Sequence, residues 1–404
     1  MLVWCGASAV GVSSDWPCWR GPQHNGVASS GQSLPGQWSE TENVLWKTPV
    51  PGRGHGAATV VGDAIYLATA EREREARSIL CLDRVTGERR WLCDVHVGDL
   101  TPHKNEKASD ASCTIACDGE RLYVNFLHAG GMYTSAVSLT GKVLWQTRVC
   151  DYTVHQGYGS SPFLHESLVL VTADNKQGGK VAALQRTDGT VVWSHDRPEK
   201  PNYASPLVQE VAGRAQLLLT GCDLVSSYDP STGERLWEVE GATTECVTTT
   251  LVCGGLMFTS GGYPTNHVSA VKCDGTGETA WRNETRVYVP SMLVKDGRLY
   301  AVADAGFAVC WDCQTGEEQW KGRLGGTFSA SPVLVDDRIY ATNEGGETYV
   351  FRASPDKFEL LGKHTLGDEC FATPTICGSR IYMRAAVREG DVRQEYLYCV
   401  GVGN

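Results

Sequence analysis

The 404-residue chain lacks the features that mark several broad classes of protein. No window of about 18 apolar residues occurs, so no stretch is long enough to cross a bilayer as a helix. No run of lysine and arginine occurs either, and 36 basic against 47 acidic side chains leave a formal charge of −11. That balance excludes a nucleic-acid footprint. The Gly-x-Ser-x-Gly elbow of a serine hydrolase is absent, as is Cys-x-x-Cys-His, so no c-type haem domain is attached. Neither His55 nor His155 has a second His or Cys at ligand spacing, and no metal site is expected.

What is abundant is one kind of turn. The stretch "STGERLW" (Ser231–Trp237) returns as "VTGERRW" (Val85–Trp91), "LTGKVLW" (Leu139–Trp145), "TDGTVVW" (Thr187–Trp193), "GTGETAW" (275–281) and "QTGEEQW" (Gln314–Trp320). The tryptophans 91, 145, 193, 237, 281 and 320 stand 54, 48, 44, 44 and 39 residues apart. Between them lie short runs rich in β-branched and aromatic residues, bounded by Gly or Asp, such as "RLYAVAD" and "FAVCWD". Each unit reads as a four-stranded meander, and four strands in roughly 40–50 residues is the period of a β-propeller blade. The fold class expected is therefore all-β, a single propeller.

Two ends need closing. Trp46, in "NVLWKTPV", has no blade before it, and the last unit, "TPTICGSRIYMRAAVREGDVRQEYLYCVG", lacks its tryptophan strand. Pairing Val44–Val50 with that last unit completes it and removes both open edges. Six tryptophan-ended units, a degenerate one ending near "FELLGKH" and the shared one make eight blades; seven is the alternative count. A tryptophan on an outer strand can lie across the next blade, its indole N–H donating to a turn carbonyl. That gives Trp46, Trp91, Trp145, Trp193, Trp237, Trp281 and Trp320 a structural role. The division expected is a signal-like segment 1–14, an arm 15–43 in which Trp16 and Trp19 must be hidden, and a propeller over 44–404. The first segment, "MLVWCGASAVGVSS", has the apolar, small-residue character of an export signal but no basic start, and Trp4 spoils a lipobox at Cys5. A periplasmic or cell-envelope location follows as an expectation.

These units resemble the tryptophan-docking repeats of the pyrroloquinoline quinone (PQQ) propeller superfamily. "DWPCWRGPQHNG" (Asp15–Gly26), "GRGHG" (Gly52–Gly56) and "VHQGYGSSP" (Val154–Pro162) are similar to a bacterial, planctomycete-type branch of PQQ-like repeat proteins. The resemblance implies one of two functions, since the superfamily holds both quinoprotein dehydrogenases and the scaffold lipoprotein of the outer-membrane barrel-assembly machinery. Such dehydrogenases place an adjacent Cys-Cys disulfide over the quinone, with Glu, Asn and Asp near a calcium ion. No adjacent cysteines occur here, and the connections are short. The expectation is a non-catalytic, monomeric module without cofactor, binding a protein, peptide or small ligand at the channel face. The alternative is a PQQ- and calcium-dependent alcohol or sugar dehydrogenase in which Glu245 and its neighbours hold the ion.

Of the sixteen cysteines, several fall in register with the repeat. Cys253 and Cys377 stand five residues before Phe258 and Tyr382, and Cys81, Cys310 and Cys399 occupy third strands. Equivalent places in different blades are too far apart to bridge, so the cysteines read as small buried hydrophobes. In "CWDC" (Cys310–Cys313) the pair would point to opposite faces of a strand.

A ligand site is expected where the chain enters each first strand, on one face of the ring. Those segments supply Arg53, His55, Asp110, His155, Tyr158, Asn202, Tyr203, Glu245, Tyr288, Phe328 and Glu369. "GDLTPHKNEKASD" (Gly98–Asp110) reads as a polar excursion over that face, with His103 and Lys104 as possible contacts. "EREREAR" (Glu71–Arg77) reads as a solvated hairpin tip.

Overall fold

In a computed structural model of the chain, which describes residues 15–100 and 105–403, thirty-two strands form eight four-stranded antiparallel sheets. Among the described residues no helix is long and apolar enough to cross a membrane. Blades one to seven span 59–97, 116–151, 163–197, 207–240, 251–283, 293–323 and 333–365. Blade eight takes three strands from 375–400 and its outer strand from Val44–Val50, which pairs antiparallel with Val392–Val400. The ring is thus an eight-bladed propeller closed by its N-terminal strand. The signal-like segment with Cys5, together with His103 and Lys104, lies outside the described residues.

Burial follows strand position. The second strand of blade one, Ala64–Glu71, is buried at every residue but the last, because neighbouring blades cover both its faces. The outer strand Val143–Asp151 alternates half-buried and exposed residues, the pattern of a strand with one face in water. The hydrophobic clusters accordingly sit in the seams. One joins Tyr66 and Ile79 of blade one to Val124 and Phe126 of blade two, and another joins blades seven, eight and one to Trp16, Ala28 and Trp38 of the arm.

The recurring turn explains its own sequence. Asp83 Oδ1 accepts the N–H groups of Val85 and Thr86, both at 2.9 Å, and Asp229 and Asp312 repeat the arrangement. The glycine that follows has a positive φ, 74° at Gly87 and 77° at Gly233, where a side chain would be strained. It must also be glycine for space. A Cβ at Gly233 would stand 2.7 Å from the Trp193 indole of the preceding blade, and one at Gly316 2.5 Å from Trp281. The indole N–H groups of Trp91, Trp145, Trp193, Trp281 and Trp320 donate to Leu139, Arg186, Pro230, Cys313 and Ser354 carbonyls of the next blade at 2.7–3.1 Å. Trp237 differs. Its N–H donates to Gln216 Oε1 at 2.9 Å, and Gln216 Nε2 passes the link on to Cys273 O at 3.1 Å. The Trp46 ring lies against Gly87, but its indole N–H has no acceptor among the described residues.

Residues 15–28 cross the far end of the channel from the excursion. Trp16 bridges Val60 of blade one, Pro17 O accepts from Cys117 of blade two, and Ala28 N–H donates to Leu334 O of blade seven. The buried Arg20 guanidinium donates to Met292 O of blade six and to Pro332 O, and burial lowers its pKa to about 9. The His24 ring lies 4.1 Å from that of Phe163 in blade three. Burial lowers the His24 pKa from 6.5 to about 4 despite a bond to the Trp19 backbone. The unfolded chain takes up this proton below pH 6.5 and the folded chain only near 4. Stability is therefore full above 6.5 and falls as pH drops toward 4, by up to about 1.4 kcal/mol per unit for this group. His96 and His267, lowered by burial to about 3 and about 4, act with the same sign. Thermal midpoints measured at pH 7 and pH 5 should show the fall, and His24→Phe should reduce it by its share; an unchanged drop would place the titration elsewhere.

The charge run 71–77 is a hairpin tip only as far as Glu75. Arg77, expected in solvent, is 1% exposed. It turns back into the seam, donating to Gly98 O and lying 2.9 Å from His128 Nδ1.

Candidate ligand site at the mouth of the central channel

The segments that enter the first strands do converge. They enclose a cavity of ≈ 430 Å³ whose wall includes His55, Tyr158, Tyr203, Tyr288 and Phe371, with Trp19 of the arm as its floor. The wall is mostly aromatic and small hydroxyl side chains, the composition of a pocket that holds a ligand by contact and a few hydrogen bonds.

A belt of hydroxyls holds the wall in shape. Ser161, Ser205, Ser291, Ser331 and Thr373 each accept the backbone N–H of the corresponding residue in the preceding blade, at 2.9–3.0 Å, and Thr114 does the same for Ala57. At the remaining hydroxyl, Thr249, the donor is the Trp19 indole, at 2.7 Å. Apart from Thr249, each of these hydroxyls satisfies a main-chain donor that the channel strands leave unpaired. Ser161→Ala leaves the buried Thr114 N–H without its acceptor and should cost about 1–3 kcal/mol in chemical denaturation. A neutral result would mean that water replaces the hydroxyl.

Of the eleven expected site residues, Glu245, His155 and Tyr288 form one cluster. The Glu245 side chain is 5% exposed; one oxygen accepts the Tyr288 hydroxyl at 2.7 Å and the other lies 3.2 Å from His155 Nε2. Burial and then the Glu245 carboxylate push the Tyr288 phenol well above its ordinary value. Tyr203 and His55 join the wall, His55 with its ring 4.7 Å from that of Phe371. Tyr158 lines the cavity as well, its hydroxyl donating to Thr172 O at 2.9 Å.

Arg53, Asp110 and Glu369 stand on the rim. Glu369 lies 2.6, 3.0 and 3.8 Å from Arg393, Arg388 and Arg53, and Asp110 lies 3.6 Å from Arg72. Asn202 belongs to the seam between blades three and four, bonded to Asp174, Thr220 O and Cys246 N–H, all at 2.9 Å. Phe328 is core, 1% exposed and packed on Tyr349.

Residues 105–110 of the excursion run over this face. Arg53 donates to Glu106 O at 2.8 Å, and Lys107 reaches Glu344 of blade seven at 2.7 and 2.9 Å. Lys107, Trp19, Phe371 and the hydroxyl belt were missed as site residues. The recurring Ser-Pro and Thr-Pro of "GSSP", "YASP", "SASP" and "FATP" was a signal for the belt, whereas nothing in the sequence placed Trp19.

A model of the family described as outer membrane protein assembly factor BamB matches residues 27–153, 103–252 and 264–354. The chain belongs to this family. Among solved structures, this BamB-family chain is similar to BamB from Moraxella catarrhalis, with a TM-score of 0.63 and 14% identity over 88% of this chain and 99% of that one. It is also similar to the quinohemoprotein alcohol dehydrogenase of Comamonas testosteroni, with a TM-score of 0.72 and 12% identity over 97% and 82%. Both likenesses speak to the fold. A curated relative, quinoprotein alcohol dehydrogenase PedH of Pseudomonas putida, is 25% identical over 148 residues, 35% of this chain. The chain spans only 23% of that relative's length.

The dehydrogenase relatives raise the question of quinone and calcium. PQQ carries three carboxylates, and calcium takes six to eight oxygen ligands. Lys107 is the one lysine or arginine lining the cavity among the described residues, and Glu344 holds it. Glu245 is engaged on both oxygens, and Asn202 is spent in its seam. No three His, Cys, Asp or Glu side chains among the described residues gather where they could hold a metal. These donors do not fit a calcium-bound tricarboxylate.

Proposed function

We propose that this BamB-family propeller is a non-catalytic binding module of the cell envelope, engaging a protein, a peptide or a small ligand at the channel face. The observation that carries the reading is the state of the polar groups there. Glu245, the carboxylate that an enzyme would use, is closed in by Tyr288 and His155, and Lys107 is paired with Glu344. The features left over are aromatic faces and small side chains around an open cavity, which recognise by shape and contact rather than by proton transfer. A closed ring leaves few free strand edges, so its loops can carry binding residues at little cost to the core. The family description, an assembly factor, agrees with a protein partner.

The second reading, a quinoprotein alcohol or sugar dehydrogenase, draws on the PedH relative and on the dehydrogenase-like ring. Tryptophan fluorescence separates the two, because Trp19 floors the cavity. Titration with PQQ and calcium should give no saturable quenching and no dye-linked oxidation of alcohols or sugars. Pull-downs from an envelope fraction should retain a partner that Tyr203→Asp and Lys107→Glu release while the ring stays folded. Saturable, calcium-dependent quenching with turnover would reverse the assignment.

A further inference from the structure

Two cysteines from different places in the repeat meet at the seam between blades five and six. Cys253 ends the first strand of blade five, Leu251–Cys253, and Cys313 follows the third strand of blade six, Phe307–Asp312. The Cys313 backbone is held from both sides. Its N–H donates to Gly297 O at 3.0 Å, and its carbonyl accepts the Trp281 indole of blade five at 2.9 Å. Their chain neighbours meet too, since a Cβ at Gly254 would run into the Gln314 side-chain amide. The two thiols are neighbours across the seam, Cys313 fully buried and Cys253 half-buried at the edge of the same hydrophobic cluster.

The repeat makes this juxtaposition general. At the seam between blades eight and one, Arg84 takes the place of Cys313 and Cys377 that of Cys253, with Arg84 Nη2 3.7 Å from Cys377 Sγ. The turn after a third strand therefore packs on the end of the preceding blade's first strand. Only blade five against blade six puts a thiol on both sides of that contact.

We propose that Cys253 and Cys313 are an oxidation site that forms a disulfide between blades five and six by exchange with a low-molecular-weight disulfide such as oxidised glutathione. The half-buried Cys253 reacts first. Its thiolate attacks one glutathione sulfur, forming a mixed disulfide and expelling a glutathione thiolate, which takes up the proton that Cys253 gave. Cys313 then attacks the Cys253 sulfur and expels the second glutathione, which receives the Cys313 proton. Two protein thiols are oxidised and one glutathione disulfide is reduced to two thiols. Cys313 is fully buried, out of reach of glutathione, which leaves it the resolving step rather than the first attack. The inference stands apart from whatever the channel face binds.

The test is oxidation of the folded, full-length protein with oxidised glutathione, followed by alkylation under denaturing conditions and peptide mapping without reductant. The expected result is a peptide joining Cys253 to Cys313, lighter by two hydrogens than its halves, with two fewer alkylated thiols than the sixteen of the reduced chain. Cys313→Ser should stall at glutathionylated Cys253, and Cys253→Ser should give neither product. A wild-type protein that keeps glutathione on Cys253 while Cys313 is alkylated would overturn the proposal. So would a crosslink from Cys253 to any other cysteine.

Discussion

Arg384→Met should lower stability by about 3–5 kcal/mol, read as a shift of the urea unfolding midpoint, because it strands a buried carboxylate. Arg384 and Glu395 lie 2.6 Å apart, each with a side chain 2% exposed. The guanidinium also donates to Ala68 O at 2.6 Å and to Thr69 Oγ1 at 3.3 Å, while Glu395 accepts Gly54 N–H at 3.2 Å. Ala68 and Thr69 belong to blade one, Arg384 and Glu395 to blade eight, so the pair sits at the seam that closes the ring. Gly54 in "GRGHG" is glycine for the same reason, since a Cβ there would stand 2.5 Å from Arg384 Nη1. The double variant Arg384→Met/Glu395→Leu should recover much of the loss, because an apolar pair carries no desolvation cost. A single variant as stable as the parent would mean that Arg393, 2.8 Å from Glu395, balances the charge alone.

Trp193→Ala should cost about 3–5 kcal/mol, the range for truncating a large buried aromatic. The ring is 9% exposed, packs over Gly233, and donates to Pro230 O at 3.1 Å. Trp193→Phe keeps most of the apolar contact and loses one hydrogen bond, so about 1 kcal/mol is expected. Trp237→Phe provides the contrast and should cost less, because Gln216 Oε1 keeps the Ser227 hydroxyl as donor at 2.7 Å and Gln216 Nε2 keeps its bond to Cys273 O. Denaturation midpoints of the three variants test this order. Equal losses for Trp193→Phe and Trp193→Ala would show that the N–H, not the ring, carries the seam.

Most of the fold was legible because its determinants are local. The Asp-to-Gly turn, the two-residue alternation of an outer strand such as Val143–Asp151 and the buried run Ala64–Glu71 are each written in fewer than ten adjacent residues. Closure was legible by elimination, since Val44–Val50 and the last unit each lacked what the other had. The site was legible only as a set of loops. Glu245, His155 and Tyr288 were candidates for being polar or aromatic at strand entries, as were Asn202 and Phe328, and the same rule could not tell them apart. Asn202 turned into a seam and Phe328 into the core because their neighbours in the ring, Asp174 and Tyr349, offered partners there. Arg77 left the solvent for a carbonyl that belongs to the far end of its own blade.

The sequence by itself determined the propeller, the closing strand and the face on which the loops gather, because turn chemistry and strand periodicity act between neighbours in the chain; between eight blades and seven, the structure decided. Only the tertiary structure decided that Trp19 floors the channel, that Glu245 is closed in by Tyr288 and His155, and that Cys253 meets Cys313. Each of those contacts joins residues from different blades or from the arm. Ring closure fixes which blades adjoin and at what angle, and that geometry selects the partner of each buried polar group.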